Sequence, residues 1–131
     1  MPPRAVLIAA AARDPFIPEL LQVLQAEGAQ VMVAHDAEST VRAIRTKQPA
    51  LAVLDTVIPG GDGISLCRQI KEDPSTAGTH ILFFSVLMAR DRCLEAGADG
   101  FMLKPVEMED LLAKIRELLD DRVRRIPRRA R

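Results

Sequence analysis

Apolar residues in this chain come as short continuous runs separated by stretches of helical spacing. The runs at 6–10, 30–34, 50–54, 80–84 and 100–103 each have the length of a buried strand. Between them the period changes. Ile17, Leu20, Leu21 and Leu24 recur at three- and four-residue intervals and predict a helix over 15–27, with Pro15 and Pro18 near its start and Gly28 just past its end. Val41 and Ile44 mark a second helix over 37–47, with Asp36 placed to cap it. Ile64, Cys67 and Ile70 mark a third over 64–72, stopped by Asp73-Pro74. A short helix over 88–95 ends at Gly97. Leu111, Leu112, Ile115, Leu118 and Leu119 line one face of a last helix over 107–119, with Glu107, Glu109 and Asp110 in the first turn, where the helix dipole favours acids.

Strands that alternate with helices predict a parallel sheet covered on both faces, and strands apolar throughout suit burial on two sides. The expected class is α/β, a single doubly wound sheet of five strands with helices on both faces. In such sheets ligands gather at the carboxyl ends of the strands. Three polar residues stand there: Asp55 after the third strand, Ser85 after the fourth and Lys104 after the fifth. A carboxylate, a hydroxyl and an ammonium at one edge suit the handling of a small anion. Each residue alone has a plainer reading: Asp55 as a turn residue, Lys104-Pro105 as a strand terminator. Gly60, Gly61 and Gly63 lack the spacing of a nucleotide loop, so positive-φ turn geometry is their expected task.

At 131 residues, one core and one domain are expected. Aromatic content is 3%, without Trp or Tyr, so aliphatic side chains must fill that core. Cys67 and Cys93 lack metal-ligand spacing and read as small residues on helix faces. No apolar run is long enough for a membrane span, and Ala9 to Ala12 imitates a leader cleavage site only weakly, so a cytoplasmic protein is expected. The zero net charge hides an asymmetry. Residues 122–131 hold six arginines and no acid, which leaves residues 1–121 with 12 basic and 18 acidic side chains. The expected division is a folded domain over 1–121 and an arginine-rich tail over 122–131, solvated or drawn to an anionic partner.

Taken together, Leu54-Asp55, the turn with Pro59 and Gly63, Ser85 after Ile81-Leu82-Phe83-Phe84, the stretch Ala96-Gly97-Ala98-Asp99-Gly100-Phe101, and Lys104-Pro105 resemble a response-regulator receiver domain of two-component signalling, CheY-like in type. The resemblance runs nearly from Arg4 to Leu119. It implies a flavodoxin-like strand order 2-1-3-4-5. It also implies Asp55 as phospho-acceptor from a histidine kinase or phosphotransfer protein, Lys104 and Ser85 as partners of the phosphoryl oxygens, and Phe101 as switch aromatic. Mg2+ would be held by Asp55 and the Val57 backbone carbonyl, and the Lys104–Pro105 bond would be cis. The implied protein is no enzyme beyond self-phosphotransfer onto Asp55, and its output is contact with a further protein.

Two departures stand out. Counting back from Gly28, Ala11 and Ala12 fall where the family carries two metal-binding acids, and Asp14 lies where the first helix is due. Weak Mg2+ binding and slow or absent phosphorylation are therefore expected, with Lys104 and Asp55 left as a simple ion pair. The segment from Ser85 to Gly97 is also short by about three residues, and Val86 stands where a small residue is usual. These departures suit a phosphorylation-independent docking domain as an alternative. A phosphatase of the haloacid dehalogenase type would need an acid two residues after Asp55, where Val57 stands. Nucleic-acid binding through residues 122–131 would lack aromatic partners for base stacking.

Overall fold

The structure, a computed structural model, describes residues 4–120. Strand β1 (Ala5–Ala9) leads to helix α1 (Phe16–Ala26), β2 (Gln30–Ala34), α2 (Ala37–Lys47) and β3 (Leu51–Leu54). A two-stranded hairpin of β4 (Val57–Ile58) and β5 (Gly61–Asp62) follows, then α3 (Gly63–Glu72), β6 (His80–Ser85), α4 (Arg90–Glu95), β7 (Gly100–Leu103) and α5 (Met108–Leu119). The main sheet has five parallel strands in the order β2-β1-β3-β6-β7, the expected doubly wound order. The arginine-rich segment 122–131 lies outside the described residues. Among the described residues no helix is long and apolar enough to cross a membrane.

Alternation along each strand divides the core in two. Leu7, Ala9, Leu54, Ile81 and Phe83 pack with Ile44, Ile64, Cys67, Ile70 and Cys93 on the face covered by α2, α3 and α4. Val6, Ile8, Val53, Leu82 and Phe84 pack with Leu20, Leu24, Leu111, Ile115 and Leu118 on the face covered by α1 and α5. The two cysteines are free and fully buried. Burial pushes the Cys67 thiol up to about 12 and the Cys93 thiol up to about 11.

Local chemistry explains the boundaries. The Asp36 carboxylate accepts the Ser39 N–H at 2.7 Å and caps α2, as expected. Helix α1 begins at Phe16, which leaves Asp14 in the preceding loop. Helix α4 begins at Arg90 instead of 88, and Val86, Leu87 and Met88 stay outside it, exposed. The hairpin β4–β5 was not expected, because two-residue strands, Val57–Ile58 and Gly61–Asp62, are too short to show an alternating pattern. Of the three glycines assigned to positive φ, only Gly60 has it, at 82°. A Cβ on Gly63 would instead collide with the Asp55 carbonyl oxygen and Thr56. Gly63 serves close approach: its N–H donates to the Thr56 carbonyl at 2.8 Å, pinning α3 beneath the turn after β3.

A charged cluster locks the amino-terminal edge of the sheet. Asp99 is almost wholly buried and its Oδ2 lies 3.1 Å from Lys71 Nζ, while His80 Nδ1 is 3.2 Å from Oδ1. The same carboxylate accepts the Ile81 N–H at 2.8 Å, and Lys71 donates to the Thr79 carbonyl at 2.7 Å. Removing the Asp99 charge leaves the mostly buried Lys71 ammonium without its counter-charge. Asp99→Asn is therefore expected to lower the unfolding free energy by about 3 kcal/mol, measured by urea denaturation at neutral pH; a loss below a few tenths would show the cluster to be energetically idle.

Candidate functional site

The carboxyl ends of β1, β3, β6 and β7 meet at one edge, and the chain places its functional side chains there. Asp55 directly follows β3, with its N–H donating to the Ala9 carbonyl of β1 at 3.2 Å. Lys104 directly follows β7, with its N–H donating to the Ser85 carbonyl of β6 at 2.7 Å. The Lys104–Pro105 peptide is cis. Backbone ladders thus fix where all three predicted polar residues emerge.

Asp55 and Lys104 are in contact, with Lys104 Nζ 3.3 Å from Asp55 Oδ2. They do not form the simple pair expected. Asp14 Oδ2 lies closer to the same ammonium, at 2.9 Å. The loop after β1 turns back, with the Asp14 N–H donating to the Ala11 carbonyl at 3.0 Å. This turn delays α1 and aims Asp14 into the edge. Its other oxygen, Oδ1, accepts the Phe16 N–H at 2.9 Å. All three side chains are mostly buried: Lys104 is 16% exposed, Asp14 14% and Asp55 19%.

The ammonium also stands 4.9 Å from the centre of the Phe84 ring, and Phe16 meets that ring edge-on at 4.8 Å. Beneath the ion group a cavity of about 20 Å³ is lined by Ala9, Ala10, Phe16, Val53 and Leu54. Charges thus sit on an apolar floor with few water contacts.

Burial pushes the Asp14 carboxyl up. The hydrogen bond from Lys104, that from the Phe16 N–H and the charge of Lys104 outweigh this and hold the group below its ordinary 3.8.

The Ser85 hydroxyl is fully buried and shares a hydrogen bond with Thr56 Oγ1 at 2.6 Å; it also accepts the Leu87 N–H at 3.0 Å. It reaches the Asp55 carboxylate through Thr56, whose Oγ1 is 3.5 Å from Asp55 Oδ1. The Val57 N–H also faces Asp55 Oδ1, at 3.3 Å, while the Val57 side chain is exposed. Phe101 pairs with Phe83 across the β6–β7 ladder and is buried next to a groove of about 440 Å³ shared with Met88 and Leu103. It lies on β7, three residues before Lys104. Thr56 and Phe84 were not expected as members of the site, whereas Asp14 was expected to reach it only if the loop after β1 were rearranged, as it is. A carboxylate just after β1 and a hydroxyl beside Asp55 were the available signals.

The chain is a response-regulator receiver domain: the family model of that domain matches residues 14–116. Among curated proteins it is 33% identical over 122 residues to the DNA-binding dual master transcriptional regulator RpaA of Synechocystis sp., covering 90% of this chain and 50% of that protein. It is 32% identical over 107 residues to the DNA-binding response regulator MtrA of Mycolicibacterium smegmatis, covering 81% and 47%. The chain spans about half the length of these curated relatives. Among solved structures it resembles a CheY-like receiver domain protein from Methanospirillum hungatei, with TM-score 0.83 and 26% identity over 93% of this chain and 98% of that one. A two-component response regulator from Clostridium difficile gives 0.81 and 25% over 94% and 98%.

Receiver domains are generally not enzymes, and the family typically uses Mg2+. The donor set of this chain does not fit that ion. Ala10 is buried at the site wall, and Ala11 and Ala12 are exposed; none has a side-chain oxygen. Both oxygens of Asp14 are engaged, by Phe16 and by Lys104. Among the described residues no group of three or more His, Cys, Asp or Glu is placed to hold a metal. A hard cation that seeks six oxygens meets two carboxylates already bridged by an ammonium.

A carboxyl held low in the folded state stabilises it above the unfolded value, and that stabilisation is lost as pH falls through the folded one. Between pH 6 and pH 2 the wild-type chain is thus expected to lose stability more steeply than Asp14→Asn, read from denaturation midpoints; parallel curves would show that Asp14 is unpaired in solution.

Proposed function

We propose that this chain is the receiver module of a two-component phosphorelay, that Asp55 is its phospho-acceptor, and that its output is contact with another protein. The observation that carries the reading is the meeting of Asp55, Lys104 and the Thr56–Ser85 hydroxyl pair at one strand edge. In the reaction an Asp55 oxygen forms a bond to the phosphorus of a phosphohistidine on a histidine kinase or phosphotransfer protein. The P–N bond breaks and its electrons return to the imidazole. Lys104 balances charge on the phosphoryl oxygens. Ser85 leaves Thr56 to donate to one of them, and Phe101 follows. A cytoplasmic location suits such a donor.

The module is atypical. Two carboxylates against one ammonium leave a net negative site, and among the described residues no cluster of acids is placed to recruit Mg2+. Transfer should therefore be slow, because phosphoryl transfer depends on charge neutralisation. Incubation with acetyl phosphate and Mg2+, followed by intact mass measurement, is expected to show little phosphoryl gain over an hour and none in Asp55→Asn. Rapid stoichiometric gain would overturn the atypical assignment.

A second reading, a docking domain that works without phosphorylation, is favoured by one surface. Val86, Leu87 and Met88 are 67%, 48% and 88% exposed, and Leu103 lies beside them at 40%. A partner that covers them would read the fold directly. In that case Asp55→Asn retains the chain's cellular output and Met88→Asp abolishes it; the opposite pattern returns the first reading.

A further inference from the structure

We infer that the Asp14 carboxylate is a resident anion, which occupies on Lys104 the position that a phosphoryl group on Asp55 needs, and so restrains the acceptor. The inference rests on the receiver reading and identifies the residue that regulates that site. Lys104 Nζ is 2.9 Å from Asp14 Oδ2 and 3.3 Å from Asp55 Oδ2, so the cation's nearer partner is not the acceptor. Asp14 is not a passing surface acid. Its Oδ1 is tied to the Phe16 N–H, and its backbone carbonyl accepts the Ile17 N–H at 3.2 Å. The first turn of α1 therefore holds the carboxylate in place.

The surroundings leave Lys104 little alternative. The Phe84 ring closes one side of the ammonium, and the Phe16 ring braces Phe84. Two carboxylates take the remaining reach. An incoming phosphoryl group brings further negative charge and must draw Lys104 away from Asp14 before any oxygen is neutralised. Phosphorylation of Asp55 by acetyl phosphate forms an Asp55 O–P bond, breaks the bond from phosphorus to the acetyl oxygen and releases acetate with that electron pair. No metal or redox partner enters the balance. Removing the charge of Asp14 frees Lys104 for the step and brings the site to neutrality.

Two measurements on the full chain test this. In the first, inorganic phosphate is titrated in magnesium-free buffer into Asp55→Asn and into the double variant D14A/D55N, followed through the amide resonances of Ser85 and Lys104. The double variant is expected to bind phosphate about tenfold more tightly or better, as loss of a unit like charge at contact distance allows. Adding Lys104→Met should abolish the gain. Equal affinity in the two variants overturns the inference. In the second, acetyl phosphate with a chelator is followed by intact mass, and D14A should be labelled about tenfold faster than wild type or better, with nothing in D14A/D55N. Tighter phosphate binding without covalent labelling keeps the role of Asp14 and overturns Asp55 as acceptor. Ready labelling of wild type, with D14A no faster, does the reverse. Asp14→Asn, which retains an oxygen for the Phe16 N–H, repeats both arms should D14A unfold.

Discussion

A single ammonium shared by two carboxylates sets the character of this receiver. Lys104 leaves the end of β7 into a region with an apolar floor and an aromatic wall, where an unpaired charge is costly. Asp14 and Asp55 satisfy it, and in doing so each is satisfied itself. The arrangement is closed in the sense that every charged oxygen near Lys104 already has a partner. An ordinary receiver site must be open to a cation and then to an anion. Here Lys104, Asp14 and Asp55 already satisfy one another.

The sheet makes this possible with little help from the loops. Parallel pairing of β1, β3, β6 and β7 brings four strand ends to one edge, and the ladder bonds from Asp55 to Ala9 and from Lys104 to Ser85 set their spacing. The two faces are filled by different helices, so the edge is held from both sides. Gly63 lets α3 approach the backbone of Asp55 and Thr56, which fixes Asp55 from beneath. At the opposite edge the Lys71, His80 and Asp99 cluster holds the amino ends of β6 and β7 in a comparable way. One sheet thus carries polar ion groups at both ends, and only the one at the carboxyl edge lies where chemistry is expected.

The five strands and five helices were legible because apolar runs and helical periods are local signals. Asp55, Ser85 and Lys104 were legible because the carboxyl ends of parallel strands must converge. What escaped depends on geometry that no local pattern encodes. The direction of the loop after β1 decided that Asp14 points inward and that α1 waits until Phe16. The bond between Thr56 and Ser85 spans 29 residues, and it engages the Ser85 hydroxyl with Thr56 and not directly with Asp55. Gly63 looked like a turn residue, yet what excludes a side chain there is crowding by a neighbouring carbonyl. Burial of Asp99 beside Lys71 and His80 likewise required the two ends of β6 and β7 to be known together.

The sealing of both thiols has a practical meaning. Cys67 of α3 and Cys93 of α4 face the sheet, fully covered, and burial pushes both thiols further above their ordinary value. An alkylating reagent can reach them only when that layer lifts from the sheet. The pace of their modification in native buffer is consequently a clock for breathing of the α3–α4 side, with no label to be engineered.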